Sequence, residues 1–323
     1  MIAKQLEQPR QTEMRTVLMD TLLASMQQNK DVVYLDADLA GAIGSTKLLS
    51  ALPAQAFNVG IMEANMAGVA AGMSVNGKIP FIHSFGVFAT RRVADQVFIS
   101  GCYNRANVKI LGSDCGVAAE TNGGTHMPLE DVSIFRSYPD MTILDIADTT
   151  LMRRMIPAVI EHDGMVYMRF PRKKVADYYS EDNSFAIGKG MMLREGRDVT
   201  IIAAGLEVDE ALQASAILKG MNISTRVVDM FTLKPVDTEL IVDCAKRTGA
   251  VVTAENHNVI GGLGSAVAEV LVENAPVPMQ RVGVNEQFGE VGTRQYLAQK
   301  FRLTKDDIVN AALEAVKRKH YNA

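Results

Sequence analysis

A chain of 323 residues is longer than one hydrophobic core usually fills, so two domains of roughly 150 residues each are expected. Its 48% hydrophobic and 22% charged residues exclude a fibrous or wholly disordered protein. The 33 Lys and Arg against 37 Asp and Glu leave a net charge of -4, which argues against a chain that grips nucleic-acid phosphates.

The N-terminus, residues 1–11, is polar and lacks the apolar core of an export leader. No run reaches the roughly 18–20 apolar residues of a membrane-spanning helix, so a cytoplasmic location without membrane insertion is expected. An amphipathic segment, residues 13–28, reads as a helix, with Val17, Leu18, Met19, Leu22 and Leu23 along one side. Short apolar runs follow at residues 32–35, 79–82, 108–111, 141–144 and 166–168, bounded by Gly, Asp or Pro. They are apolar on both faces rather than alternating, as strands of a parallel sheet covered on both sides should be. Residues 173–189 are polar, without apolar period, and read as a linker. A second βα series begins at Val199 and continues through residues 225–228 and 250–253. The expected fold is therefore α/β, two domains, each a mostly parallel sheet covered by helices. Their bounds are 1–175 and 191–323, with 176–190 between them. A last helix over residues 305–319 ends in Lys317, Arg318 and Lys319, a basic cluster that reads as a solvated terminus.

Chemistry is harder to place. Residues 41–47 lack the second glycine of a phosphate-binding P-loop. Gly261-Gly262-Leu263-Gly264 follows a strand and opens a helix, but the third glycine of a dinucleotide fingerprint is missing, so close packing is the better reading. Cys102, Cys115 and Cys244 are odd in number and form no C-x-x-C pair, which suggests neither a disulfide framework nor a zinc site. The five histidines, His83, His126, His162, His257 and His320, show no metal-ligand spacing.

Four segments in order carry a resemblance. Asn58 to Met66 and the small-residue run to Gly72 resemble the stretch of transketolase that holds its catalytic glutamate. Ser84 to Arg91 resembles the family's aromatic segment, and Gly123 to Asp131 its T-H-x-P-x-E-D segment. Glu255 to Gly264 is similar to its E-x-H-x-x-x-G-G-L-G segment. Together they span nearly the whole chain, and they correspond to the pyrimidine-binding and C-terminal domains only. The G-D-G and downstream Asn with which the family's other domain holds magnesium and diphosphate are not in this sequence. The chain thus looks like the C-terminal half of a split transketolase.

The resemblance implies thiamine diphosphate as cofactor, with magnesium ligands on a partner subunit that carries the diphosphate-binding domain. It implies transfer of a two-carbon ketol unit from a ketose to an aldose by a dimer of heterodimers. By resemblance Glu63 is catalytic, favouring the imino form of the aminopyrimidine, and Phe85 and Phe88 stack on that ring. Asp38, in an A-D-L segment, lies near the cofactor. His126 lines the substrate channel, and Arg172 matches an arginine that binds substrate phosphate. Two positions depart from the family. Asp114 stands where members with a similar stretch usually carry a phosphate-binding histidine, and Asn122 replaces an aspartate that reads an acceptor hydroxyl. A non-standard sugar, unphosphorylated at that end, is the expectation, because Asp114 facing the pocket would repel a phosphate. The competing readings are a β subunit of a thiamine-dependent 2-oxoacid dehydrogenase, a 1-deoxyxylulose-5-phosphate synthase-like enzyme, and a non-catalytic assembly subunit.

Overall fold

Runs rich in valine and isoleucine become strands here because their branched side chains are covered on both sheet faces. The computed structural model describes residues 2–321. In chain order the strands are β1 (Gln5–Glu13), β2 (Val32–Asp36), β3 (Ala56–Asn58), β4 (Ile79–Phe85), β5 (Lys109–Ser113), β6 (Thr142–Asp145) and β7 (Val166–Phe170). They continue with β8 (Lys174–Tyr179), β9 (Met191–Arg194), β10 (Val199–Ala203), β11 (Thr225–Asp229), β12 (Thr232–Lys234), β13 (Val251–Asn258) and β14 (Met279–Val284). Every residue of β2, β5, β7, β10 and β11 is buried.

Two larger sheets result, in the order β12-β6-β7-β5-β4-β2-β3 and β14-β13-β10-β11-β9. Each is parallel except at one edge, where β12 runs against β6 and β9 against β11. The α/β, two-sheet expectation therefore holds. Strand β12 lies in the second half of the sequence yet completes the first sheet, so the halves are joined by backbone hydrogen bonds. Among the described residues no helix is long and apolar enough to cross a membrane.

The polar stretch after Arg172 does not begin as a free linker. Residues 174–179 form β8, antiparallel to β1. Tyr178 and Tyr179 are buried, and the Tyr179 hydroxyl donates to Asp229 at 2.9 Å. Tyrosine counts as polar in a pattern, but its ring fills core space once the hydroxyl has an acceptor. The basic C-terminal cluster is likewise not wholly solvated. Lys319 Nζ donates to the Thr248 carbonyl at 2.7 Å, capping the end of the Thr238–Thr248 helix.

A buried ion network locks the halves together. Arg169, 1% exposed, donates from Nε to Asp131 at 2.8 Å, from Nη1 to Asp145 at 2.6 Å, and from Nη2 to the Asn256 carbonyl at 3.1 Å. Asn256 adds bonds to the Cys115 carbonyl and the Val117 amide, both at 2.9 Å.

Candidate active site

Adjacent parallel strands bring their carboxyl ends to one edge, and in open α/β sheets that edge is where sites assemble. Here β2, β4 and β5 lie side by side. Beyond β2 and β5 the chain turns through Asp38 and Asp114, which have positive φ values of 63° and 59°. Non-glycine residues adopt that region only under constraint, and such residues cluster at functional sites.

Glu63 is the first residue of the Glu63–Val75 helix, where the positive helix end favours a carboxylate. It is 4% exposed, and its Oε1 accepts from the Ser84 hydroxyl at 3.3 Å and from Arg92 Nη1 at 2.8 Å. The Arg92 guanidinium lies 3.8 Å from the centre of the Phe88 ring. Phe88 packs edge-on against His126 at 5.1 Å, and His126 against Phe85 at 5.9 Å. Arg172 lies 5.3 Å from the Phe85 ring and donates from Nε to Asp114 at 2.6 Å. Glu63, Phe88, His126, Phe85, Arg172 and Asp114 thus form one continuous array, although they span 109 positions of sequence from Glu63 to Arg172.

Asp114 is 1% exposed, and burial raises its pKa despite the opposing Arg172 charge. Its Oδ1 has no partner among the described residues. The two residues whose balance decides whether this end opposes a phosphate, Asp114 and Arg172, form an ion pair. Asp38 is exposed and joins the array only indirectly. Its Oδ1 accepts from Asn58 Nδ2 at 3.0 Å, and Asn58 Oδ1 accepts from the Gly60 amide at 2.9 Å in the loop that delivers Glu63. Asn122 is exposed and makes no side-chain hydrogen bond among the described residues.

Sequence reasoning stopped one residue short of Arg92, which extends the quoted aromatic segment. It also passed over Asp36. That carboxylate is fully buried and accepts from Tyr34 at 2.8 Å and Ser45 at 3.0 Å. It lies 3.4 Å from His83 Nδ1, whose Nε2 is 3.0 Å from Ser113 Oγ. The chain Asp36, His83, Ser113 therefore ties the ends of β2, β4 and β5 beneath the array. Alternation of Asp36 and Asp38 gave no sign that the first is the buried acid.

The glycine-rich segment serves packing, as expected, with a specific reason. Glu255 occupies the N-terminus of the Leu263–Asn274 helix, accepting from the Leu263 and Gly264 amides at 2.7 and 2.8 Å. A Cβ at Gly262 would stand 1.9 Å from Glu255 Oε2. The chain's own carboxylate thus takes the anion position that a phosphate would need. Burial pushes Glu255 up to about 7 and His257 down to about 4.

The pyrimidine half of thiamine diphosphate fits these residues: a buried carboxylate at the base of an aromatic wall, with His126 beside it. Among the described residues no group of three or more His, Cys, Asp or Glu is placed to hold a metal ion.

Comparison with known proteins identifies the family. Residues 10–177 match the transketolase pyrimidine-binding domain and residues 188–308 the transketolase C-terminal domain. The chain is 50% identical over 308 residues to the 6-deoxy-6-sulfo-D-fructose transketolase subunit SqwH of Clostridium sp. (strain MSTE9), covering 95% of this chain and 96% of that one. It is 38% identical to a putative transketolase C-terminal section of Methanocaldococcus jannaschii, covering 93% and 95% of the two chains. A solved split-gene transketolase, described as an inactive β4 tetramer, superposes with a TM-score of 0.89 at 44% identity, covering 95% of this chain and 99% of that one. The chain therefore belongs to the transketolase family and comprises its pyrimidine-binding and C-terminal domains.

Proposed function

We propose that this chain is the smaller subunit of a two-chain, thiamine diphosphate-dependent transketolase. It works in the cytoplasm with a subunit that carries the diphosphate-binding domain and the magnesium ligands, as two copies of each. The observation that carries this reading is Glu63, a carboxylate 4% exposed at a helix N-terminus and joined through Arg92 to the Phe85–Phe88 wall. A partner surface lies beside it. Gly68 and Gly72 of the same helix have no atom within 4 Å of a Cβ position, and Ile61 and Met62 are 69% and 56% exposed.

The coenzyme supplies, when bound, an acidic thiazolium carbon that accepts and passes on the two-carbon unit. Glu63 holds a proton shared with a pyrimidine ring nitrogen, acting as a positioned acid/base group. Phe85 and Phe88 cover the ring and exclude water. His126 donates to the substrate oxygen on which negative charge develops. Asp38 and Asn58 hold the loop that presents Glu63, and Asn122 stands at the substrate entrance.

Arg172 and Asp114 line the far end of the substrate site. Paired with Asp114, Arg172 offers a substrate anion less net attraction than an unpaired arginine would, and the Asp114 side weighs more against a second negative charge on the substrate than against the first. A sulfonate carries one charge where a phosphate carries up to two. With the Clostridium relative named for 6-deoxy-6-sulfo-D-fructose, a sulfonated ketose is the donor class favoured here. The rival readings find less support: a 1-deoxy-D-xylulose-5-phosphate synthase of Heliobacterium modesticaldum is 31% identical, against 50% for the split transketolase subunit.

The test is reconstitution. The chain alone is expected to be inactive; with the partner, magnesium and thiamine diphosphate it should transfer ketol units without lipoyl protein. 6-Deoxy-6-sulfo-D-fructose should exceed fructose 6-phosphate in kcat/KM by at least about tenfold, and Asp114→His should narrow that ratio. Pyruvate decarboxylation without ketol transfer would overturn the transketolase reading. Equal use of both donors, unchanged by Asp114→His, would overturn only the donor class.

A further inference from the structure

The segment that follows β4 carries the aromatic wall and also returns a cation to Glu63. Its turn is tightly made. The Phe88 and Ala89 amides both donate to the Phe85 carbonyl at 2.8 Å, the Thr90 hydroxyl donates to the Gly86 carbonyl at 2.7 Å, and Val93 is fully buried. Arg92 is therefore delivered from a fixed backbone, and its guanidinium lies over the Phe88 ring while Nη1 donates to Glu63 Oε1. A guanidinium is planar and stacks on an aromatic face, so its donor fork is held in one orientation although the side chain is 47% exposed.

The two oxygens of Glu63 are not equivalent. Oε1 takes both bonds, from Arg92 and from Ser84 near the end of β4. Oε2 has no partner among the described residues and, unlike Asp114 Oδ1, keeps contact with solvent. A glutamate free to rotate about its side-chain torsions would lose acid/base efficiency, because proton transfer needs donor and acceptor held within hydrogen-bond reach. Anchoring one oxygen on two donors leaves the other as the single open acceptor.

We infer that Arg92 is the positioning residue for Glu63: by holding Oε1 it reserves Oε2 for the pyrimidine ring nitrogen. This rests on the reading of Glu63 given under the proposed function. Arg92 acts through the carboxylate and takes no proton itself, so its effect should vanish once position 63 can no longer hold one.

A double-mutant cycle on the reconstituted enzyme, with thiamine diphosphate and magnesium supplied, tests this through Arg92→Met and Glu63→Gln made singly and together. Arg92→Met alone should lower kcat at least about tenfold, since a misplacement of about 1 Å can cost about 10²-fold. It should also raise the calorimetric Kd for thiamine diphosphate roughly three- to tenfold, the worth of one hydrogen bond. Made in Glu63→Gln, the same change should move kcat and Kd by no more than about twofold. Tm should stay within a few degrees in both backgrounds, because the Arg92 side chain is half-exposed. Equal kcat and Kd in Arg92→Met and the parent would overturn the inference. So would tighter coenzyme binding, which would make Arg92 a competitor for Glu63, or losses that add in full in the double variant, which would place its action elsewhere. A parent pair that binds no thiamine diphosphate would sink the transketolase reading, and this inference with it.

Discussion

Glu63→Gln is expected to lower kcat of the reconstituted enzyme by about 10²- to 10⁴-fold, the range over which positioned acid/base groups act. Glutamine keeps the volume and an acceptor oxygen for Ser84 and Arg92, whose bonds to Oε1 are 3.3 and 2.8 Å. It cannot hold or release the proton. The fold should therefore survive, with Tm within a few degrees of the parent, and the loss should lie in kcat rather than in substrate KM. Single-turnover ketol transfer alongside thermal unfolding separates the two effects. A variant that retained more than a third of parental kcat would remove Glu63 from the chemistry.

Arg169→Met should cost about 3–5 kcal/mol of unfolding free energy, because it leaves two carboxylates buried without their cation. Asp131 and Asp145 are 0% and 3% exposed, and no other cation bonds either of them among the described residues. The pH dependence has a definite sign. Burial already raises the pKa of Asp145 against the pull of Arg169, and without the arginine it rises further. A carboxyl with a folded pKa above its unfolded one is most favourable below the unfolded value and loses that stability as pH climbs through the folded value. The deficit of Arg169→Met should thus be smaller at pH 5.5 than at pH 8, as read from urea midpoints. A deficit independent of pH would mean that lost packing, not the stranded acids, dominates.

Much of the fold was legible because strands covered on both faces must be apolar throughout, and few other elements are. The runs at residues 32–35 and 166–168 are such cases, within β2 and β7. Strand β8 escaped notice because its burial depends on tyrosine hydroxyls finding Asp229, a partner 50 positions away for Tyr179. Strand β12 escaped for a related reason: three residues carry no period, and only docking of the halves gives them a sheet to join.

The site divides along the same line. Residue types that a reaction needs at fixed local spacing, Glu63 before a small-residue helix and Phe85 with Phe88, could be read from the sequence through their resemblance to a family. The sequence by itself thus determined the two α/β sheets, the family and the candidate reaction. Only the tertiary structure decided how charges pair: Arg172 with Asp114 across 58 positions, Arg92 on Glu63, and Glu255 on its own helix amides. The physical reason is that hydrophobic periodicity is a local property of the chain, whereas the balance of a buried charge depends on which groups folding brings within a few ångströms of it.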